Sequence, residues 1–352
     1  MSFPRSALAG LHPYAPDPTP VDVDLSDNTN LWGPHPAALA TLAGAAAGVA
    51  RYPTAYGDPV RHAVARRFGV DVTCVTTGCG SDDLIDAAFR AFAEPGEALA
   101  YLAPTFSMVE HAAVTNSLEL RPSVVDHANG GALPDPRALL TRRPALVYVC
   151  SPNNPTATAL PEAWLQALVD AVEAEPDGPV LLVDEAYAEF CGRSVLPAAA
   201  ERSRTLVLRT LSKAYGLAGL RVGYAVGAER LVVELNKARG PFKVGVASEQ
   251  AAAAALLDES GWLQDVVTQT RALRARLVTA LDAQGWESLP SDANFVLIRV
   301  PEGAREAVHA RLTERRVGVR SFRFADGTHW MRATVGPWPL MERLLEALGD
   351  LR

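Results

Sequence analysis

Six near-continuous apolar runs punctuate the first two-thirds of the chain: VTCVTT (72–77), EALAYL (97–102), ALVYVC (145–150), PVLLVD (179–184), RTLVLRT (204–210) and VGYAVG (222–227). Runs this continuous suit strands covered on both faces of a sheet. Between them the apolar spacing lengthens to that of helices. SDDLIDAAFRAFAE (81–94) opens on a capping serine with acids in its first turn, and PEAWLQALVDAVEAE (161–175) carries proline near its start. This alternation predicts an α/β fold with a largely parallel sheet flanked by helices. After Gly261 the pattern changes to a long heptad-like run (268–285), the strand NFVLIRV (294–300), a helix, two short β runs (317–322 and 329–335) and a last helix. That tail predicts a smaller α+β lobe.

The remaining composition narrows the function. With 352 residues, 49% hydrophobic and 21% charged, the chain has material for a large core, and disorder, collagen and coiled coil are excluded. At about 150 residues per domain, length implies about two domains. The 33 basic and 40 acidic residues leave a net charge of −7, so no nucleic-acid partner is expected. The N-terminal stretch 1–17 has no signal-like apolar run, and the longest apolar candidate, Leu39 to Ala50, stops at Arg51. No membrane span and a cytoplasmic location are expected. Cys74, Cys79, Cys150 and Cys191 form neither CxxC nor a disulfide pattern, so reduced core thiols and no metal site are expected.

Ligands of open α/β sheets bind at the carboxyl ends of strands, and four of the predicted ends carry polar residues. In TTGCGSDDL (76–84) a strand runs through glycines into a helix start, which is either a generic anion cradle or only a tight turn. SPNNPTAT (151–158) offers rigid asparagine donors or a plain turn. VLLVDEAYAEF (180–190) ends a buried strand in Asp184, a carboxylate suited to a cation or a protonated ring nitrogen, or to capping a helix. In VLRTLSKAYGLAGLRVGY (207–224), Lys213 sits among small and apolar residues with Ser212 and Arg221 nearby, a setting that lowers a lysine pKa. No GxxxxGK[ST] or complete dinucleotide fingerprint is present. Anion cradle, carboxylate, then lysine with hydroxyl and arginine, in that order, are the parts of a pyridoxal phosphate site.

The segments LHPY (11–14), NTNLWGPHP (28–36), RYP (51–53), GCGSDDLI (78–85), PTFSM (104–108), SPNNPTA (151–157), DEAYAEF (184–190), SKAYGLAGLRVGY (212–224), NFV (294–296) and MRATVG (331–336) span nearly the whole chain. Through them the chain resembles the histidinol-phosphate aminotransferase family, pyridoxal-phosphate enzymes of fold type I. The resemblance implies an N-terminal arm (1–40) joining the small domain, a large cofactor-binding domain (41–260) and a small C-terminal domain (261–352). It implies that Lys213 binds the cofactor covalently and moves the substrate proton, that Asp184 pairs with the ring nitrogen, and that Tyr187 and Asn154 hydrogen-bond the ring oxygen. Phe106 is expected to stack on the ring. Gly80, Ser81, Asp82, Ser212 and Arg221 are expected around the phosphate, with Tyr52 reaching the site of a second subunit in a homodimer. Tyr14, Asn30 and Arg332 are expected to bind substrate, with Arg332 on its carboxylate and Arg320 or Arg323 meeting a second anion.

The chain departs from the family pattern in three places. Asn28, Thr29, Asn30 and Leu31 stand where NENP is usual, Ala157 where glycine is usual, and Lys243 where asparagine is usual. These lie on the substrate side and bear on the amino donor. The expected activity is transfer of an amino group between an amino acid or amino-phosphate, histidinol phosphate-like or aromatic, and a 2-oxo acid, 2-oxoglutarate with glutamate. The alternatives are a Cα decarboxylase resembling threonine-phosphate decarboxylase and a cofactor-binding regulatory module.

Overall fold

Each of the six apolar runs contains a strand in the computed structural model, which describes residues 3–349 apart from 14, 16–18, 128–129 and 176. After a two-residue strand at Val23–Asp24 (β1) come Val75–Gly78 (β2), Ala98–Ala103 (β3), Glu119–Val124 (β4), Leu146–Cys150 (β5), Val180–Asp184 (β6), Thr205–Thr210 (β7) and Gly223–Val226 (β8). Strands β2 to β8 form one sheet in the order β2-β8-β7-β6-β5-β3-β4. Every pairing from β7 to β4 is parallel, and β8 alone runs against both of its neighbours.

The alternation of side chains along the strands explains why both faces are apolar. Val147, Val149, Leu181, Val183 and Val207 join a core with the helices Asp58–Phe68, Glu162–Glu173 and Val246–Leu257. Leu146, Tyr148, Leu182, Leu206 and Leu208 face the helices Ser81–Phe92, Ser107–Thr115 and Glu229–Arg239. Two details differ from the pattern reading. Residues Val72–Cys74 form a 3-10 turn capped by Asp71, and the strand begins at Val75. Strand β4, ELRPSV, has no apolar run to announce it, because an edge strand is half-exposed and tolerates Pro122.

The C-terminal third supplies β9 (Phe295–Val300), β10 (Val317–Gly318), β11 (Arg320–Arg323) and β12 (His329–Thr334). Strands β11, β12 and β9 make an antiparallel sheet, while β1 pairs in parallel with β10. Val23 and Leu25 therefore share a core with Leu277, Val296, Met331 and Leu344. The heptad-like run starts earlier than its pattern suggests, as the helix Trp262–Ala283. Its first turns pack on the large core through Leu263 and its last turns on the small one through Leu277 and Leu281.

The cysteine expectation needs correction. All four thiols are free, but only Cys150 is buried; Cys74 and Cys191 are half-buried and Cys79 is exposed, because it lies in the turn beyond β2. Among the described residues no helix is long and apolar enough to cross a membrane.

Candidate active site

Because β8 runs opposite to its neighbours, the residues that precede it lie at the carboxyl ends of β2 and β7. The register places Gly223 beside both Gly78 and Thr210, and Cys150 beside Asp184. At these ends lies a cavity of about 580 Å³ lined by Ser81, Asp82, Phe106, Asn154, Asp184, Tyr187, Ser212, Lys213, Arg221, Arg320 and Arg332.

The helix Ser81–Phe92 begins at Gly80 with φ of 87° and no side-chain cap, so its first N–H groups face the cavity end as an anion cradle. Two glycines make the cradle possible. A Cβ on Gly80 would collide with Asp82 and Arg221, and one on Gly223 would lie 2.5 Å from the Ser81 nitrogen. Arg221, with its own φ at 53°, donates from Nη2 to Asp82 Oδ1 at 3.0 Å. Buried Ser212 accepts from Thr210 Oγ1 at 2.9 Å, which turns it into the same corner.

Asp184 is 3% exposed, and among the described residues its carboxylate accepts two hydrogen bonds, from Tyr148 Oη at 2.8 Å and from the Ala186 amide at 3.0 Å. Burial outweighs these donors and raises its carboxyl to about 6. Lys213 Nζ donates to the Asp27 carbonyl at 2.9 Å. Burial, with the cations Arg332 and Arg221 nearby, lowers its pKa to about 8. Tyr187 accepts from Asn28 Nδ2 at 3.0 Å and packs edge-on against Phe295, and its burial pushes its hydroxyl pKa up.

Arg332 enters from the small sheet. Its Nη1 donates to Asn154 Oδ1 at 2.6 Å and its Nη2 to the Ser26 carbonyl, while its guanidinium carbon lies 5.4 Å from the ring centres of both Phe295 and Phe322. In the antiparallel register Arg320 stands directly opposite Arg332 and lines the same cavity. Arg323, three residues along an alternating strand, is exposed on the other side and is not part of the lining.

Several expected residues are placed elsewhere. Asn30 does not line the cavity: Nδ2 donates to the Ala214 carbonyl at 2.8 Å and Oδ1 accepts from the Trp32 amide at 2.9 Å, so both ends tie backbone together. Asn28, two residues earlier, takes the cavity position. Tyr52 is 83% exposed, stacked on Phe242 and outside the cavity of its own chain. Tyr14 lies outside the described residues. Of the departures from the family pattern, Thr29 lines the cavity, whereas Leu31 packs on Gly336. Ala157 holds φ at 68°, a left-handed conformation that costs an L side chain about 1 kcal/mol. Lys243 pairs with Asp83 at 3.0 Å rather than reaching the cavity.

These groups fit pyridoxal phosphate. Backbone donors with Arg221 suit its phosphate, and Phe106 supplies a ring face. Asp184 is a buried carboxylate with no cation hydrogen-bonded to it among the described residues, as a protonated ring nitrogen requires. Lys213 is an amine whose lowered pKa, about 8, leaves a fraction of it neutral to meet the aldehyde.

Known proteins agree with that chemistry. Residues 20–348 match the family model of aminotransferase class I and II. The chain is 33% identical to the histidinol-phosphate aminotransferase of Geobacillus thermodenitrificans across 99% of this chain and 97% of that protein. It is 38% identical to that of Methylibium petroleiphilum across 88% and 84%. The structure of the Sinorhizobium meliloti histidinol-phosphate aminotransferase in complex with pyridoxal 5'-phosphate matches with a TM-score of 0.83 at 25% identity, over 94% of this chain and 91% of that one. An L-threonine-O-3-phosphate decarboxylase from Porphyromonas gingivalis matches with a TM-score of 0.77 at 22% identity, over 93% and 98%, which shows a shared fold and leaves the decarboxylase alternative less supported. The chain belongs to the class I and II aminotransferase family, and it is a pyridoxal-phosphate-dependent transaminase of fold type I.

Proposed function

We propose that the amino donor is histidinol phosphate or a closely similar amino-phosphate or aromatic amino acid, that 2-oxoglutarate accepts the amino group, and that the enzyme works as a cytoplasmic homodimer. The observation that carries the donor assignment is the pair Arg320 and Arg332, opposite each other on β11 and β12 and facing one cavity. Two guanidinium groups on one cavity wall suit the doubly charged phosphate of such a donor, where a single carboxylate needs only one of them.

Bound pyridoxal phosphate supplies an electron sink for the Cα–H bond that is broken. Lys213 Nζ then takes the Cα proton and returns it on the other side of the transfer, which its lowered pKa permits near neutral pH. Asp184 holds a proton on the ring nitrogen. Since Tyr187 accepts from Asn28, its own O–H is left to donate to the ring oxygen, and Asn154, whose Oδ1 accepts from Arg332, keeps its amide N–H for the same atom. Arg332 is held by Asn154 and the Ser26 carbonyl with its guanidinium at the cavity wall, where it meets the carboxylate of glutamate or the phosphate of an amino-phosphate donor in alternate half-reactions.

A donor panel with 2-oxoglutarate tests the assignment, and absence of turnover with histidinol phosphate, related amino-phosphates and aromatic amino acids alike overturns it. Arg320→Ala is expected to raise KM for a phosphorylated donor by about 10- to 100-fold, the worth of a charge-assisted hydrogen bond, with glutamate changed less than about threefold. Arg323→Ala should leave both within about twofold. Equal losses for donor and glutamate in Arg320→Ala would remove the second-anion role.

The dimer reading rests on exposed aromatics. Tyr52 and Phe242, 83% and 46% exposed, stack with ring centroids 5.1 Å apart. On this reading Tyr52 completes the partner's phosphate site, so sedimentation at assay concentrations should show a dimer. A fully active monomer contradicts it.

A further inference from the structure

The carboxylate of Asp184 is held from two directions. The Ala186 amide reaches Oδ1 from the turn that follows β6, and any residue at that position other than proline supplies the same N–H. The hydroxyl of Tyr148 reaches Oδ2 at 2.8 Å from β5, thirty-six residues earlier in the chain. Tyr148 is fully buried among leucines of the sheet face that packs on the helix Ser81–Phe92. Burial and the adjacent carboxylate push its own titration far up, so it remains a donor throughout the working range.

The other groups around Asp184 do not replace that donor. Cys150 lies beside it on β5, Glu185 and Tyr187 follow it in the chain, Asp82 approaches from the helix Ser81–Phe92, and the cations Lys213, Arg221 and Arg332 line the same cavity. Among the described residues none of them hydrogen-bonds to its carboxylate. A phenylalanine at 148 would fill the same apolar space and leave Oδ2 with no donor.

We propose that Tyr148 is a positioning residue for transamination: its hydroxyl fixes Asp184 Oδ2 and keeps the carboxylate ionised where the ring nitrogen of the cofactor meets it. The inference rests on the ring-nitrogen role of Asp184 given above. A hydrogen bond to a charged acceptor opposes the burial that raises the Asp184 carboxyl, so its loss raises that carboxyl further.

Tyr148→Phe tests this, with Tyr101→Phe as control. Tyr101 is the neighbouring buried tyrosine on β3, in register with Tyr148, and donates instead to Glu110 at 2.8 Å outside the cavity. The acid limb of kcat/KM is expected to move up by about one pH unit in Tyr148→Phe and to stay in Tyr101→Phe. A second readout is pyridoxal phosphate affinity of the cofactor-free protein, expected to weaken about fivefold at pH 6 and less than about twofold at pH 8. If both pH dependences match wild type while Asp184→Asn is disabled, Tyr148 only packs and the proposal falls alone. If Asp184→Asn itself behaves as wild type, the Asp184 role falls and takes the proposal with it.

Discussion

Lys213→Ala is expected to lower kcat by about 10⁴-fold or more, because one side chain both binds the cofactor and moves the substrate proton. The amine is prepared for both tasks by where the chain puts it. With its pKa lowered to about 8, roughly a tenth of it is neutral at pH 7, against fewer than about one in a thousand for an ordinary lysine. Truncation should spare the fold. The single hydrogen bond lost, to the Asp27 carbonyl, is worth about 1 kcal/mol, and removing a desolvated cation from beside Arg332 and Arg221 offsets it. Melting temperature within a few degrees of wild type, with borohydride reduction of the wild-type holoenzyme labelling the Lys213 peptide, is the expected pair of results. Label on another lysine, or more than about one per cent residual turnover, removes the assignment.

What was legible in the chain follows from which contacts are local. Strands β5 to β8 announce themselves because a strand covered on both faces is apolar at nearly every position, and Asp184 and Lys213 stand out because they interrupt such runs at the end where ligands bind. Strand β4 does not, since its edge position admits Glu119, Arg121 and Pro122. The site's long-range partners were harder. Asn28 and Asn30 sit in one motif with the same chemistry, and only the approach of Tyr187, 159 residues away, decides that Asn28 faces the cavity. Tyr148 reads as one more apolar letter of ALVYVC until β6 sets Asp184 near its hydroxyl. The choice between Arg320 and Arg323 is a matter of strand parity: an odd separation puts them on opposite faces, and the pairing with Arg332 selects Arg320.

Asp184→Asn separates the needs of the fold from those of the chemistry. The carboxyl sits at about 6 in the folded protein, above its ordinary value near 4, so the folded chain binds this proton more tightly than the unfolded one. In the cofactor-free protein the ionised group therefore opposes folding, by an amount that grows as pH rises from about 4 to 6 and levels at about 3 kcal/mol above that. Asparagine carries no charge to desolvate, although its amide can satisfy only one of the two donors from Tyr148 and Ala186, which returns about 1 to 2 kcal/mol. The cofactor-free variant should thus be at least as stable as wild type at pH 8, with the advantage gone or reversed at pH 5. Catalysis should move the opposite way. Loss of the anion that holds the ring nitrogen protonated removes an electrostatic contribution made in a water-poor site, and kcat is expected to fall by about 10²- to 10³-fold. Thermal melts of the cofactor-free proteins at the two pH values, beside steady-state kinetics, check both halves. A variant within a few-fold of wild type in kcat, or one several kcal/mol less stable at pH 8, would show that Asp184 serves the fold and not the cofactor.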